Sequence, residues 1–172
     1  MTDHFTNPYS REKDPDRWEL WELIVRRDSE AFVRKDWAMI NADYDRENFI
    51  RAKAYGSGNP HDWRIVSPDL ETERNDWLKD AEAFLKLPLK DISQRELIFK
   101  MSRLEHIDIK GDWAFCIKQF AANELLQDGG RYIVACESLK IARRIGGKWK
   151  LAGAIAYLPA SAAAPREAPA KA

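Results

Sequence analysis

The sequence predicts an α+β fold in which N-terminal helices lie in the concave face of a curved, mostly antiparallel sheet and leave a cone-shaped pocket between them. Two observations carry this expectation. Apolar residues recur at helical spacing up to about Pro88 and at alternate positions after it. The alternating half is also interrupted at three glycine-bearing joints, Lys110-Gly111-Asp112, Asp128-Gly129-Gly130 and Gly146-Gly147-Lys148, which read as hairpin turns. Helices first and a long meander second is the α+β order.

The first helix is expected to open at Asp14-Pro15, a cap residue followed by proline at the first helical position, with Trp18, Trp21, Ile24 and Val25 at helical spacing behind it. Asp28-Ser29 reads as a break and a fresh cap. A second helix then carries Phe32, Val33, Trp37 and Ile40 on its apolar side and ends in the polar stretch from Asn41 to Asp45. A short strand is expected from Phe49 to Tyr55, followed by a loop through Gly56-Ser57-Gly58-Asn59-Pro60. Ser67-Pro68-Asp69 repeats the cap-plus-proline signal, and Leu70, Trp77, Leu78, Ala81, Phe84 and Leu85 form the stripe of a third helix. Four strands complete the pattern: Leu97 to Ile109, Trp113 to Leu126, Tyr132 to Ile145, and Trp149 to Leu158. Strands this long curl, so the sheet should wrap around the helices.

Composition bounds the function. The 172 residues hold 28 Lys+Arg and 28 Asp+Glu, a formal net charge of zero, which removes the broad electrostatic drive for nucleic-acid or anionic-membrane binding. Cys116 and Cys136 are too few for a disulfide scaffold and read as reduced, buried thiols. His4, His61 and His106 are scattered, so no histidine metal site is expected. The start of the chain has no apolar run of the kind a signal peptide carries, and the uncharged stretch from Leu151 to Pro165 is too short and proline-broken to cross a bilayer. A cytoplasmic protein is the expectation. Residues 1–13 read as an N-terminal arm, 14–158 as one domain, and 159–172 as a disordered Ala/Pro tail.

The element order, with Gly111-Asp112-Trp113-Ala114-Phe115-Cys116 entering one long strand and Gly146-Gly147-Lys148-Trp149-Lys150-Leu151 entering the last, resembles the nuclear-transport-factor-2-like superfamily, home of the SnoaL-like and ketosteroid-isomerase-like proteins. The resemblance covers about residues 15 to 158. The Trp37-to-Tyr44 segment, the loop from Gly56 to Trp63 and the Trp77-Leu78 helix also look like a bacterial subgroup near the diarylpropane lyases of lignin-fragment catabolism. The resemblance implies a cone fold, a homodimer or higher homo-oligomer, and chemistry without a cofactor or metal. It points to a lyase, dehydratase or isomerase acting by acid/base catalysis on a small hydrophobic, aromatic molecule. The alternatives it leaves open are a non-catalytic ligand-binding or dimerisation module and an accessory subunit of an oxygenase.

Polar residues that interrupt the apolar strand faces are the candidates for chemistry. Glu137 shares parity with Ile133, Ala135, Leu139 and Ile141, where burial would raise its pKa toward that of a useful base or acid, unless it is a paired structural carboxylate or a bulge turns it outward. Lys118 shares parity with Ala114, Cys116 and Phe120 and could hold a developing oxyanion, or snorkel to solvent. Tyr44 and Asp45 follow the second helix as proton donor and acceptor, or as a solvated turn. His61 is a loop histidine that could shuttle a proton. Substrate walls are expected from Trp37, Trp63, Phe120 and Tyr157, with Gly153 opening space beside the last. Arg103, on one strand face with Glu105, is a further candidate contact, with a cross-strand salt bridge as the plainer reading.

Overall fold

The computed structural model of the chain describes residues 4–161. The first helical stretch comprises α1 (Pro15–Trp21), a π-helical turn (Glu22–Arg27) and α2 (Asp28–Arg34). Asp14 caps α1 by accepting from the Arg17 N–H, with Pro15 at the first turn, as the sequence predicts. No break occurs at Asp28. Trp21, Glu22, Arg27 and Asp28 all keep right-handed helical angles, and the chain leaves the helix only at Lys35, which takes the left-handed conformation at φ 52°. Trp37 and Ile40 therefore belong to short 3₁₀ turns beyond the helix.

Strands β1 (Ile50–Lys53) and β2 (Arg64–Ser67) come next, followed by α3 (Leu70–Leu85). Asp69 is the cap of α3, accepting from the Thr72 N–H, while Ser67 is buried and bonds other partners. A helix that the alternating pattern hid, α4 (Gln94–Met101), occupies the start of the first expected long strand, and β3 (Ser102–Lys110) begins only after it. Strands β4 (Trp113–Leu125), β5 (Arg131–Ile145) and β6 (Lys148–Pro159) follow close to their expected limits. Pro159 is thus a strand residue paired with Cys136, and the rest of the expected tail, 162–172, lies outside the described residues.

The six strands form one sheet in the order β2-β1-β6-β5-β4-β3. All neighbours are antiparallel except β1 and β6, which run parallel. Four register shifts govern the side-chain faces, one of them between β1 and β2, where β2 carries an extra residue opposite Arg51/Ala52. Glu105 is skipped in the β3–β4 register, and β6 carries one extra residue opposite Ile141/Ala142 and another opposite Glu137/Leu139.

The helices cover one face of this sheet. Leu20, Leu23 and Ile24, each at most 1% exposed, meet Cys116, Ala142 and Trp149 of the strands in the main core cluster. Burying each of these aliphatic side chains contributes about 2 kcal/mol. A second cluster gathers Phe84, Leu97 and Phe99 with Phe5 of the arm, whose ring stacks on Phe99 at 4.9 Å. Residues of both clusters border a space between helices and sheet.

Candidate functional site

That space is a cavity of about 380 Å³. Its apolar wall includes Phe32, Trp77, Phe84 and Phe120, and Tyr132 adds a partly polar one. Aromatic rings meet edge to face around it, Phe32 on Trp77 at 5.2 Å and Phe84 on Tyr132 at 6.5 Å. Into this apolar enclosure project Asp28, Tyr44, Arg51, Glu73, Lys118 and Lys140.

Lys118 and Asp28 form one ion pair on the cavity wall. On β4 the residues Ala114, Cys116 and Lys118 alternate inward, and Lys118 is only 1% exposed. Its Nζ donates at 2.9 Å to Asp28 Oδ2 and at 2.9 Å to the Ile24 carbonyl. The second bond depends on the π turn. The Asp28 N–H bonds the Val25 carbonyl rather than that of Ile24, and Lys118 takes up the Ile24 oxygen from the sheet side. Trp77 Nε1 donates at 3.2 Å to the other oxygen of Asp28. Burial opposes the charge of Asp28, but the ammonium groups of Lys118 and Lys140 and the bonds from Lys118 and Trp77 outweigh it, so the carboxyl group lies below its ordinary pKa. It is a carboxylate at neutral pH, held in orientation and facing the cavity.

A second ionic group is self-contained. Arg51 lies 2.6 Å from Glu73 and 3.2 Å from Asp76, and Ser67 donates at 2.8 Å to Glu73. Tyr44 stacks between Trp37 and Phe49, each ring 4.9 Å away. Burial, reinforced by the charges of Asp28 and Glu73, holds its hydroxyl well above the ordinary tyrosine value. Tyr44 is therefore a neutral hydroxyl in the wall of the cavity that Asp28 also lines. Lys140 lines the same cavity: burial lowers its pKa, Lys118 and Arg51 push the same way, and Asp28 and Glu73 only partly offset them.

The structure brings four of the expected residues, Tyr44, Lys118, Phe120 and Tyr157, to one cavity. Lys118 also lies 5.0 Å from the centre of the Phe120 ring. Tyr157 is 42% exposed and reaches the cavity because the second β6 bulge turns it inward, at φ 57°. Glu137 is elsewhere. The inward residues of β5 are Tyr132, Val134, Cys136, Ser138 and Lys140, so the apolar set containing Glu137 faces away from the helices. Glu137 is 8% exposed because the chain after β6 covers it, and it accepts from the Ser161 N–H at 3.0 Å.

The other expected residues also have structural partners outside the cavity. Asp45 accepts from the Asn48 side-chain amide at 3.1 Å and lies 3.5 Å from Arg143. His61 sits exposed in a 3₁₀ turn, and Trp63 donates to the Ser57 carbonyl of the same loop. Trp37 stands behind the cavity wall, edge to face with Trp77 at 5.4 Å and tilted against Tyr44, so it supports the site without lining it. Arg103 is exposed and pairs in register with Gln119 on the outer face. Gly153 opens no space in the cavity: a Cβ there would meet the Ile50 carbonyl at 3.2 Å, so the glycine permits the close approach of β1.

Asp28 and Lys140 were not legible as site residues. Asp28 resembles a helix cap in the sequence, and Lys140 resembles an outward strand lysine. The signal for Lys140 was available in its parity, which is that of Tyr132, Val134, Cys136 and Ser138. Among the described residues no group of three or more His, Cys, Asp or Glu side chains is placed to hold a metal ion.

No protein-family model matches the chain, and comparison with curated proteins gives no match. Solved structures do match. A conserved protein from Planctomyces limnophilus is 15% identical, with 85% of this chain and 97% of that one covered at a TM-score of 0.55. A nuclear-transport-factor-2-like protein with a cystatin-like fold from Novosphingobium aromaticivorans is 16% identical, covering 87% and 86% at a TM-score of 0.53. A proposed ketosteroid isomerase from Shewanella frigidimarina is 15% identical, covering 78% and 91% at a TM-score of 0.52. The chain has the nuclear-transport-factor-2-like fold. Among the described residues no helix is long and apolar enough to cross a membrane.

Proposed function

We propose that this protein is an enzyme that moves protons on a small, apolar, aromatic substrate as a lyase, dehydratase or isomerase. The observation that carries this reading is the ionised, cavity-facing carboxylate of Asp28, clamped by Lys118 and Trp77 within aromatic walls. Asp28 is the base. Tyr44, protonated across the neutral range, donates to the substrate oxygen on which negative charge develops, and the ammonium of Lys118, itself only 1% exposed, adds its field. The chain's own side chains thus supply both halves of an acid/base pair. The shared fold with a proposed ketosteroid isomerase is in keeping with this class of reaction.

The test is a panel of phenolic dimers, steroids, short polyketides and epoxides, incubated with wild-type protein and with Asp28→Asn, with product analysis. Turnover by the wild type that falls by about 100-fold or more in Asp28→Asn is the expected result, the usual scale for loss of a general base. Equal turnover by both, or binding without product, overturns the reading.

A further inference from the structure

Lys140 is the cavity cation with no assigned partner. It makes no hydrogen bond and no ion pair among the described residues, whereas Lys118 is committed to Asp28 and Ile24, and Arg51 to Glu73 and Asp76. The reason is geometric. Its register neighbours on the inner face are Cys116 of β4 and Ala154 of β6, both short, so neither fills the space around the amine nor pairs with it. Lys118 is the diagonal neighbour, opposite Ser138 two positions along β5, which sets two lysine side chains side by side on one face. The charged groups around Lys140 are Asp28 from α2, Glu73 from α3, Arg51 from β1 and Lys118 from β4.

A lysine amine becomes a nucleophile when it is desolvated in an apolar pocket or set beside another cation. Lys140 is half-buried in a largely apolar cavity wall and has Lys118 as its diagonal neighbour, so both influences act on it. We propose that Lys140 is a nucleophilic amine that forms an imine with the carbonyl carbon of an aldehyde or ketone held in the cavity. The lowered pKa of the amine agrees with this, since it enlarges the uncharged fraction that can attack. The C–N bond forms as the carbonyl π bond opens onto oxygen. That oxygen then leaves as water with both amine hydrogens, Asp28 relaying a proton from nitrogen to the departing hydroxyl, and a C=N bond remains. No electrons are gained or lost. The inference deepens the proposed function by naming the substrate class, a carbonyl compound, and rests on that reading for the cavity as the place where substrate binds.

The experiment uses the full chain with benzaldehyde and sodium cyanoborohydride. The reagent delivers hydride to the imine carbon and fixes it as a benzyl amine, which peptide mass spectrometry then locates. Lys140 should be modified about tenfold or more faster than the exposed Lys90 and Lys148, as expected of an activated amine. In Lys140→Met the label at that position is lost, labelling of Lys90 and Lys148 is unchanged, and the thermal midpoint shows that the fold persists. Labelling of Lys140 no faster than of Lys90 and Lys148, or preferential labelling of Lys118, overturns the proposal. The two readings fail separately. Full turnover of a panel compound by Lys140→Met refutes the imine and leaves proton transfer by Asp28 standing, whereas selective labelling of Lys140 in a protein that turns nothing over does the reverse.

Discussion

Asp28 and Lys118, ninety positions apart in sequence, meet at 2.9 Å and join the helical layer to β4, the last strand but one of the sheet. The pair is costly to desolvate, and its Coulomb attraction offsets that cost only while both partners are present. Lys118→Met should therefore lower the unfolding free energy by about 3 kcal/mol, because it strands a carboxylate and a carbonyl in an apolar enclosure. The double variant Asp28→Asn/Lys118→Met should lose clearly less than the sum of the singles. Urea unfolding of all three checks this, and strict additivity would deny the coupling.

Acid should expose the same pair. The folded-state pKa of Asp28 lies below its ordinary value of 3.8, so its contribution is complete above about pH 5 and is lost as pH falls through the ordinary value toward the folded one. The difference in unfolding free energy between wild type and Asp28→Asn should be flat from neutral pH down to about pH 5 and shrink below it.

Lys140 should show the opposite sign. Its folded-state pKa is below the ordinary 10.5, so holding the charge costs stability at neutral pH, and the cost is relieved as pH rises through the folded value toward 10.5. Lys140→Met should stabilise the protein at pH 7, and its advantage should diminish in alkali. Thermal midpoints from pH 6 to 10 for the two proteins test the trend.

Glu137→Gln should leave turnover unchanged. The residue faces away from the cavity, and a glutamine oxygen can still accept from the Ser161 N–H, so stability should change by no more than about 1 kcal/mol. A hundredfold loss of rate would place this carboxylate in the chemistry after all.

Lys35→Gly should stabilise. Lys35 ends α2 at φ 52°, a conformation costing about 1 kcal/mol for a residue with a Cβ, and its ion pair with Glu82 is roughly half exposed and worth less than that. A net gain of about 0.5 kcal/mol in chemical unfolding is the expected outcome.

How far the sequence revealed the site follows from which signals are local. Period and turn chemistry are local, so β4, β5 and β6 ended within a residue or so of their expected limits, and Asp14-Pro15 opened the first helix. Facing is not local. On β5 the more apolar parity, with Ile133 and Leu139, points away from the helices, and Ile133 is 67% exposed, so hydrophobicity assigned the wrong side to Glu137. The β6 bulges separated Trp149 and Leu151 from Gly153 and Ile155, which alternation alone had kept together. The helix α4 did carry a readable mark, the Ser93-to-Glu96 capping box, but the run from Leu97 onward masked it. Asp28 could not be found locally, since its partners Lys118 and Trp77 come from distant positions.

The π turn from Glu22 to Arg27 winds one residue more into a turn than a regular helix would, and at about 100° per residue that one residue sets the azimuth of everything after it. At the level of the gene, the loss of a single codon within this stretch could restore an unbroken α-helix at no cost in composition. The flanking turns would keep their alignment, since a regular turn completes the same rotation with one residue fewer; rewinding all six residues as α-helix is what would swing Asp28 and Phe32 away from Lys118 and Trp77. Number and winding are thus coupled in this stretch, while Leu23, Ile24 and Val25, each 1% exposed, are fixed in kind by the core.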